Sequence, residues 1–206
     1  MSHFKIQKTD TYQAKNNLNY YDMDKCMEYI LERGKKMYGE HFVINKSQRE
    51  VYKKLLFYGL EDLQNLRELD LNKGLLLMGE SGCGKTAMMH LSKTFFIPKK
   101  RFEIKSCRAL SQEFSHRGFE ATTTLFDKNT KPICLDNLGK ETTAKHYGYS
   151  CDVVYNIIEY QYEQRFNQNI PKLHITTSLS PKEIENRYGI SFRKMLQEMF
   201  NVVVCE

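Results

Sequence analysis

The stretch LLLMGESGCGKTAMMH, residues 75–90, contains the pattern that decides the fold. Gly79, Gly84, Lys85 and Thr86 match the spacing G-x-x-x-x-G-K-[ST], with apolar residues before the loop and a helix-forming run after it. Both flanks matter, because a phosphate-binding loop joins the end of a strand to the start of a helix. The stretch therefore predicts a strand, a phosphate-binding loop and a helix.

This loop offers the groups that bind a nucleotide polyphosphate. Its glycines allow backbone N–H groups to point at the phosphates, and the following helix adds the positive end of its dipole. Lys85 would neutralise the outer phosphates, and the Thr86 hydroxyl would bind Mg²⁺. We therefore expect ATP and Mg²⁺ as cofactors, and we interpret Cys83 as a filler residue. The predicted nucleotide-binding residues are Gly79, Glu80, Ser81, Gly82, Cys83, Gly84, Lys85 and Thr86.

A second acid is expected on a neighbouring strand, because the metal beside such a loop needs another oxygen ligand. In KPICLDNLGKE, residues 131–141, an apolar strand ends at Leu135 and Asp136 follows it. Its carboxylate can reach Mg²⁺ through water. The alternative is an ordinary turn residue after a strand. Thr86 and Asp136 are the predicted metal-binding residues.

The predicted fold class is α/β, because short apolar strands alternate with helices from residue 74 onward. The predicted strands are Leu75–Met78, Arg101–Lys105, Pro132–Leu135, Lys172–Thr177 and Asn201–Cys205. The predicted helices span residues 84–96, 108–116, 151–168 and 181–197. In the third helix a hydrophobic or aromatic residue recurs at every fourth position, which predicts a buried face. These residues are Val154, Ile158, Tyr162 and Phe166.

The N-terminal part has a different pattern. Residues 1 to about 20 are polar and without a period, so we expect a frayed or partner-ordered tail. Helical spacing then predicts one helix within residues 20–39 and a second within 44–60, with Ser47 and Glu50 as a capping box. The predicted domains are residues 1–45, a tail and helix for linking or partner binding, and residues 46–206, the P-loop ATPase domain.

Composition narrows the function classes only slightly. The chain has 206 residues, enough for one domain, and it contains no apolar run long enough to cross a bilayer. Its six cysteines are scattered without zinc-ligand spacing and are interpreted as reduced thiols. With no signal peptide recognised, we expect a cytoplasmic protein. The net charge of +6 permits nucleic-acid binding without requiring it.

Three segments together resemble the DnaC/IstB-like AAA+ ATPases, which include bacterial helicase loaders and transposase helper ATPases. They are DLNKGLLLMGESGCGKT, CLDNLGKE and HITTSLSPKEIENRYG, and the similarity spans about residues 42–206. The resemblance implies an AAA+ core with five parallel strands in the order 5-1-4-3-2, and we expect no separate C-terminal lid domain. It also implies ATP and Mg²⁺ binding, a homo-oligomer that shares its nucleotide site, a replicative helicase or transposase as partner, and single-stranded DNA. The host would be a bacterial or phage-infected cell.

Three departures from the family pattern, which involve four positions, would all slow hydrolysis. Asn137 stands where a second acid usually orients water, and an amide cannot take a proton from that water. Ser178 replaces a sensor amide. Ser191 and Met195 replace the two usual arginines, which leaves Arg193, with Arg187 upstream, as candidate guanidinium groups. Glu141 is the nearest other carboxylate. The candidate catalytic residues are therefore Lys85, Asp136, Asn137, Glu141, Ser178 and Arg193.

A basic cluster surrounds the second predicted strand. Its members are Lys99, Lys100, Arg101, Lys105 and Arg108, with Phe96, Phe102 and His116 nearby. Aromatic and cationic side chains suit single-stranded DNA, where bases stack and phosphates pair. Lysines beside an edge strand also protect a sheet from aggregation. Both interpretations remain open at this point.

The leading hypothesis is a nucleotide-dependent switch that binds ATP and hydrolyses it slowly. A small P-loop kinase is an alternative, although residues 116–131 resemble a connector more than an arginine-bearing lid. A nucleotide-binding adaptor without significant hydrolysis is a third hypothesis. It would bind ATP and ADP equally, and equal affinities shift no equilibrium.

Overall fold

A computed structural model of the chain describes residues 6–15, 18–66, 68–122, 125, 131–167, 171 and 173–206. The strands in this part of the chain are β1 (Tyr12–Lys15), β2 (Leu18–Tyr21), β3 (Gly74–Met78), β4 (Glu103–Ser106), β5 (Ile133–Leu138), β6 (Ala144–His146), β7 (Tyr149–Cys151), β8 (Leu173–Thr177) and β9 (Phe200–Val204). The α-helices are α1 (Met23–Tyr38), α2 (Lys46–Leu60), α3 (Lys85–Ser92), α4 (Cys107–Arg117), α5 (Val153–Gln164), α6 (Pro181–Tyr188) and α7 (Ile190–Met199).

The central sheet is parallel and contains five strands in the order β4-β5-β8-β3-β9. When the five are numbered along the chain and the sheet is read from β9, this order is 5-1-4-3-2, so the predicted order is confirmed. All residues of β3 and β8 are buried, as expected for strands covered on both faces. Because the strands are parallel, the ends of β3, β5 and β8 meet at one edge of the sheet.

Helices on both faces complete two hydrophobic clusters. On one face α4, α5 and α7 pack against residues such as Leu76, Leu135 and Ile175. On the other face α1, α2 and α3 cover Leu75 and Leu77, with Ile30 of α1 in the same cluster. The N-terminal helix therefore shares its core with the sheet, and a domain boundary near residue 45 stays a prediction. All six cysteines lie in the described part of the chain and are free thiols.

The C-terminal helical region contains a break that the sequence prediction missed. Residues 181–197 were expected to form one helix, but Gly189 separates α6 from α7 and has a φ of 91°. Its N–H group bonds to the Glu185 carbonyl and ends α6. Glycine adopts this left-handed backbone at no steric cost, so the break is encoded by that residue.

The N-terminal segment is more ordered than predicted. Residues 8–11 form a turn of 3₁₀-helix, and β1 and β2 form an antiparallel hairpin, so the expectation of a frayed tail is wrong for these residues. Residues 1–5, 16 and 17 lie outside the described part. The predicted capping box is also corrected. Asn45 caps α2 and exchanges hydrogen bonds with Gln48, whereas Ser47 and Glu50 lie inside the helix.

The third predicted helix is shorter than expected. The α-helix ends at Gln164, and a turn of 3₁₀-helix at residues 165–167 leaves Phe166 83% exposed, so its predicted burial is wrong. At the other end, residue 151 belongs to a small hairpin of β6 and β7. Residues 168 and 172, predicted ends of elements, lie outside the described part, as does much of the predicted connector, at 123, 124 and 126–130. Of the helices described, none is both long and apolar enough to cross a bilayer.

Candidate nucleotide site

The loop between β3 and α3 has the backbone conformation that its glycines permit. Gly79, Gly82 and Gly84 have φ values of 155°, 93° and 96°. A Cβ on Gly79 would lie 2.0 Å from the Cys205 carbonyl oxygen, so no larger residue fits there without a backbone shift. Gly84 precedes the first residue of α3, which places the loop at the helix N-terminus. An anion held by the loop would gain from both the N–H groups and the dipole.

Lys85 reaches back across this loop. Its Nζ donates to the carbonyl oxygens of Gly79 and Glu80, each at 2.7 Å, and lies 3.4 Å from Cys83 Sγ. The residue is only 5% exposed, although a lysine ammonium is costly to bury without partners. The loop carbonyls supply those partners and fix a positive charge at the centre of the loop.

The two predicted metal-binding residues lie side by side. Thr86 Oγ1 is 2.8 Å and 3.1 Å from the two carboxylate oxygens of Asp136. Asp136 is 6% exposed and also accepts a hydrogen bond of 2.7 Å from Thr176 Oγ1, on the adjacent strand β8. Hydroxyl and carboxylate oxygens are the ligands that Mg²⁺ prefers. The donor set therefore fits that ion.

Asn137 follows at an irregular position of β5. The register with β8 shifts between Leu135 and Leu138, and Asn137 has a φ of 63°, a left-handed backbone that asparagine tolerates. Its side-chain Nδ2 donates to Asp136 Oδ2 at 2.8 Å, and its N–H group donates to Thr176 Oγ1 at 2.9 Å. The amide at this position thus directs a hydrogen-bond donor at the carboxylate.

Glu141 is enclosed by the loop after β5 and by α6. One carboxylate oxygen accepts from the Gly139 N–H group at 2.9 Å, and the other accepts from Tyr188 Oη and lies 3.3 Å from Arg187. Arg187 also donates to the carbonyl oxygens of Gly139 and Glu141, at 2.7 Å and 2.6 Å. Burial and the Glu141 carboxylate raise the pKa of Tyr188, which keeps that phenol protonated as a donor. The Glu141 carboxylate and the Arg187 guanidinium therefore neutralise each other's charge.

The remaining candidate residues lie on or after the last strands. Ser178 is half-buried and follows β8, next to Thr177, whose hydroxyl donates to the Leu138 carbonyl at 2.8 Å. Arg193 on α7 lies 3.3 Å from a Glu185 carboxylate oxygen on α6. Met195, at a position where the family usually has an arginine, is packed into the core. The structure brings together Lys85, Thr86, Asp136 and Asn137, and the catalytic roles of all the candidates stay predictions.

Two solved structures share this arrangement of sheet and helices. The DnaC helicase loader aligns with a TM-score of 0.55 at 20% identity, over 81% of this chain and 94% of that one. DnaI aligns with a TM-score of 0.55 at 17% identity, over 81% and 86%. This chain has the fold of the DnaC-like AAA+ ATPases. At these identities the similarity concerns the fold, and it confirms the resemblance of the three sequence segments at that level.

A more distant AAA+ structure is DnaA from Aquifex aeolicus bound to AMPPCP, with a TM-score of 0.50 and 19% identity. The chain covers about half of that protein, 49% of its length. Comparison with protein-family models gave no match, and neither did comparison with curated proteins.

The AAA+ fold also places residues beside the loop that the sequence interpretation missed. A cleft of about 640 Å³ is lined by Asn45, Gln48, the loop residues 79–83 and residues 204–206. Gln48 Nε2 donates to the Cys83 carbonyl at 3.1 Å, and Cys205 Sγ lies 3.1 Å from the same oxygen. Burial and the neighbouring Cys83 raise the pKa of Cys205 to about 12, so this thiol stays protonated. The N-x-x-Q spacing of a capping box was the one local signal for Gln48.

Only some residues of the basic cluster lie at the surface of this AAA+ fold. Phe96 and Phe102 are buried and pack edge to face, so they offer no face for stacking bases. Lys100 is also buried, where its Nζ lies 3.0 Å from a Glu61 carboxylate oxygen and donates to the Leu71 carbonyl. Because β4 is an edge strand, the exposed cations beside it fit the protective interpretation. The proposed stacking by these two phenylalanines is therefore wrong.

Proposed function

We propose that the protein is an AAA+ ATPase of the helicase-loader or transposition-helper type, acting as a nucleotide-dependent switch that binds ATP with Mg²⁺ and hydrolyses it slowly. The observation that carries this proposal is the contact between Asn137 Nδ2 and the Asp136 carboxylate. An amide occupies the position where a water-orienting acid is expected, while the groups for binding phosphate and metal are all present.

The loop and its neighbours carry the groups that would bind ATP and Mg²⁺. Lys85 would exchange the carbonyl oxygens of Gly79 and Glu80 for phosphate oxygens, which are stronger acceptors because they are charged. Thr86 and Asp136 would hold Mg²⁺, and the ion would neutralise charge on the phosphates. The cleft beside Gln48 would receive the nucleoside.

Slow hydrolysis follows from the acids that surround this site. Asn137 can orient a water molecule but cannot accept its proton. Glu141 is the next carboxylate along the chain, and Gly139, Tyr188 and Arg187 already occupy its oxygens. Acting as a base would require Glu141 to leave these partners. Its support for the loop after β5 is therefore the role that the contacts favour.

A partner would complete the site. Arg193 is paired with Glu185, and Arg187 is bound to the loop after β5, so either arginine must leave an existing partner to reach a nucleotide. In small GTPases an arginine supplied by a partner raises the rate by about 10³- to 10⁵-fold. A neighbouring copy, a replicative helicase or a transposase would supply this missing group, with single-stranded DNA as a further partner.

The test is ATP binding and turnover in Mg²⁺, with and without single-stranded DNA. Wild type would be compared with Lys85→Ala, with Asn137→Asp, and with Asn167→Asp as a matched control at an exposed asparagine. We expect wild type to bind ATP with turnover near background. Lys85→Ala should lose binding, Asn137→Asp should raise turnover, and the control should match wild type.

Three results would contradict this function in different ways. Rapid turnover by wild type that Lys85→Ala abolishes would exclude slow hydrolysis and leave an ordinary ATPase. Equal affinity for ATP and ADP, with no turnover in any variant, would indicate a nucleotide-binding adaptor. Phosphate transfer from ATP to a small acceptor would instead indicate the kinase alternative.

A further inference from the structure

A second cationic pocket lies away from the nucleotide loop, between the N-terminal segment and the edge strand β4. It has a volume of about 410 Å³, and its lining consists of Lys8, Tyr29, Lys93, Thr94, Arg101 and Phe102. Three of these six residues are cations and none is an acid. The pocket shares no residue with the cleft beside the phosphate-binding loop.

Its position is set by helix α3. Lys93 follows the last residue of α3 and lies eight residues after Lys85, which begins that helix. A rise of 1.5 Å per residue puts the two backbones about 12 Å apart along the axis. The pocket is thus at the opposite end of the helix from the nucleotide loop, where a phosphate bound by Lys85 does not reach.

The N-terminal segment contributes Lys8 to this pocket. Lys8 Nζ donates to the Thr94 carbonyl at 2.6 Å and lies 5.8 Å from the centre of the Phe95 ring. Burial, together with the nearby charge of Arg101, lowers the pKa of Lys8. The fold therefore brings the partly buried ammonium of Lys8 close to the exposed guanidinium of Arg101, and an anion between these like charges would relieve their repulsion.

Lys93 and Arg101, the other two cations of the pocket, have N–H groups that remain available as hydrogen-bond donors to a ligand. Arg101 Nε donates to the Phe96 carbonyl at 3.1 Å. Within the described part of the chain, neither its other two nitrogens nor Lys93 Nζ has a hydrogen bond to a protein group, and Lys8, Lys93 and Arg101 form no ion pair. Lys100, their neighbour, shows the contrast because Glu61 neutralises it.

We propose that Lys8, Lys93 and Arg101 form a second phosphate-binding site, which takes a phosphate group of a nucleic-acid strand or of a free phosphate compound. Three cations around one small pocket match the several charged oxygens of a phosphate. The planar guanidinium of Arg101 suits two of those oxygens at once. Because Lys8 belongs to the N-terminal segment, binding at this site also holds that segment against the core.

The first experiment uses pyrophosphate and a backbone NMR spectrum of the Lys85→Ala protein, so that the nucleotide loop is weakened. We expect the amide signals of Thr94 and Arg101 to shift with pyrophosphate. Adding Lys93→Gln and Arg101→Gln should weaken pyrophosphate affinity at least about ten-fold, since two charge-assisted contacts are lost. A matched pair, Lys145→Gln with Lys194→Gln, removes the same charge from exposed positions and should leave the affinity within two-fold.

The second arm separates the two sources of phosphate with a twenty-nucleotide thymidine strand. If the ligand is a nucleic-acid strand, the pocket variant should bind it more weakly, and the slope of log affinity against log salt should fall by about 1.4 for two lost contacts. If only pyrophosphate binding responds, the ligand is a free phosphate compound. Either result supports the site.

The proposal is overturned if the shifts are confined to residues 79–86, or if the pocket and control variants lose affinity equally. Thermal unfolding of both variants checks that neither result comes from unfolding. Because the spectra are recorded with Lys85 replaced, failure here leaves the proposed ATPase function intact. Failure of the ATPase function likewise leaves this site standing.

Discussion

Thr86 Oγ1 lies 2.8 Å from one carboxylate oxygen of Asp136 and 3.1 Å from the other, although fifty residues separate the two in sequence. The contact is possible because Thr86 is in the first turn of α3, which follows β3, while Asp136 is in β5, separated from β3 by β8 alone. A hydroxyl and a carboxylate at this separation can bind one Mg²⁺ from the same side.

Removing the Thr86 hydroxyl or one carboxylate oxygen of Asp136 should reduce the contribution of Mg²⁺ to ATP affinity. We expect Thr86→Val and Asp136→Asn to weaken Mg²⁺-dependent ATP affinity by about 10- to 100-fold, because a ligand or its support is lost. Affinity without Mg²⁺ should change little. Titration of a fluorescent ATP analogue with and without Mg²⁺ measures both quantities. Thr86→Ser keeps the hydroxyl and serves as the control, and an equal loss in Thr86→Ser would argue against a metal role.

Asn137→Asp should make stability depend on Mg²⁺. The change replaces a donor to Asp136 with a second negative charge, so we expect the free energy of unfolding without Mg²⁺ to fall by about 1 to 3 kcal/mol. Mg²⁺ should recover most of this loss because it neutralises both carboxylates. Urea unfolding with and without Mg²⁺ is the measurement. Unchanged stability in both conditions would place the new carboxylate away from Asp136.

Arg187→Met should destabilise the loop after β5. The Glu141 side chain is 2% exposed, and the change would leave its carboxylate without a cation. We expect a loss of about 2 kcal/mol, reduced from the value for a fully buried pair because Arg187 is partly exposed. Adding Glu141→Gln should recover part of the loss, since the amide oxygen can still accept from Gly139. A double-mutant cycle in urea tests this, and strictly additive effects would exclude the coupling.

His174 should make the protein less stable in acid. Its Nδ1 accepts from the Leu75 N–H group at 3.1 Å, and complete burial lowers its pKa from 6.5 to about 3. Between these values the unfolded chain binds the extra proton, so the free energy of unfolding falls as the pH falls below 6.5. The expected slope is about 1.4 kcal/mol per pH unit for this group.

The measurement for His174 is urea unfolding between pH 7 and pH 4. Other groups also titrate in this range, so His174→Asn, which keeps an acceptor for Leu75, is the comparison. We expect the variant to lose less stability on acidification, by about 2 to 3 kcal/mol over two pH units. Parallel pH profiles for the two proteins would mean that the buried imidazole does not cause the acid sensitivity.

The parts of the fold that were predictable depend on local signals. The apolar runs of β3, β5 and β8 identify buried strands, and the glycines with Lys85 and Thr86 identify the loop between β3 and α3. Asp136 was predictable because it follows the apolar run at the start of β5. Each of these inferences needs only neighbouring residues, together with the rule that parallel strands end at one edge.

The contacts that were missed join distant parts of the chain. Arg187 and Glu141 are 46 residues apart, and Gln48 is 35 residues from Cys83, so no sequence period links either pair. The two tyrosines, Tyr12 and Tyr21, that pair across the N-terminal hairpin are surrounded by polar residues that resemble a tail. In these places tertiary hydrogen bonds and packing determine the structure, and the amino-acid composition does not indicate these contacts.

The break at Gly189 divides two helices that connect to different parts of the candidate nucleotide site. On one side Arg187 holds α6 to the Gly139 carbonyl, and on the other α7 continues into β9, whose end lines the cleft with Cys205. Gly189 is the single residue that joins a helix held to the loop after β5 to a helix that leads into the central sheet. A side chain at this position would strain the joint between α6 and α7, because residues other than glycine rarely adopt a φ of 91°.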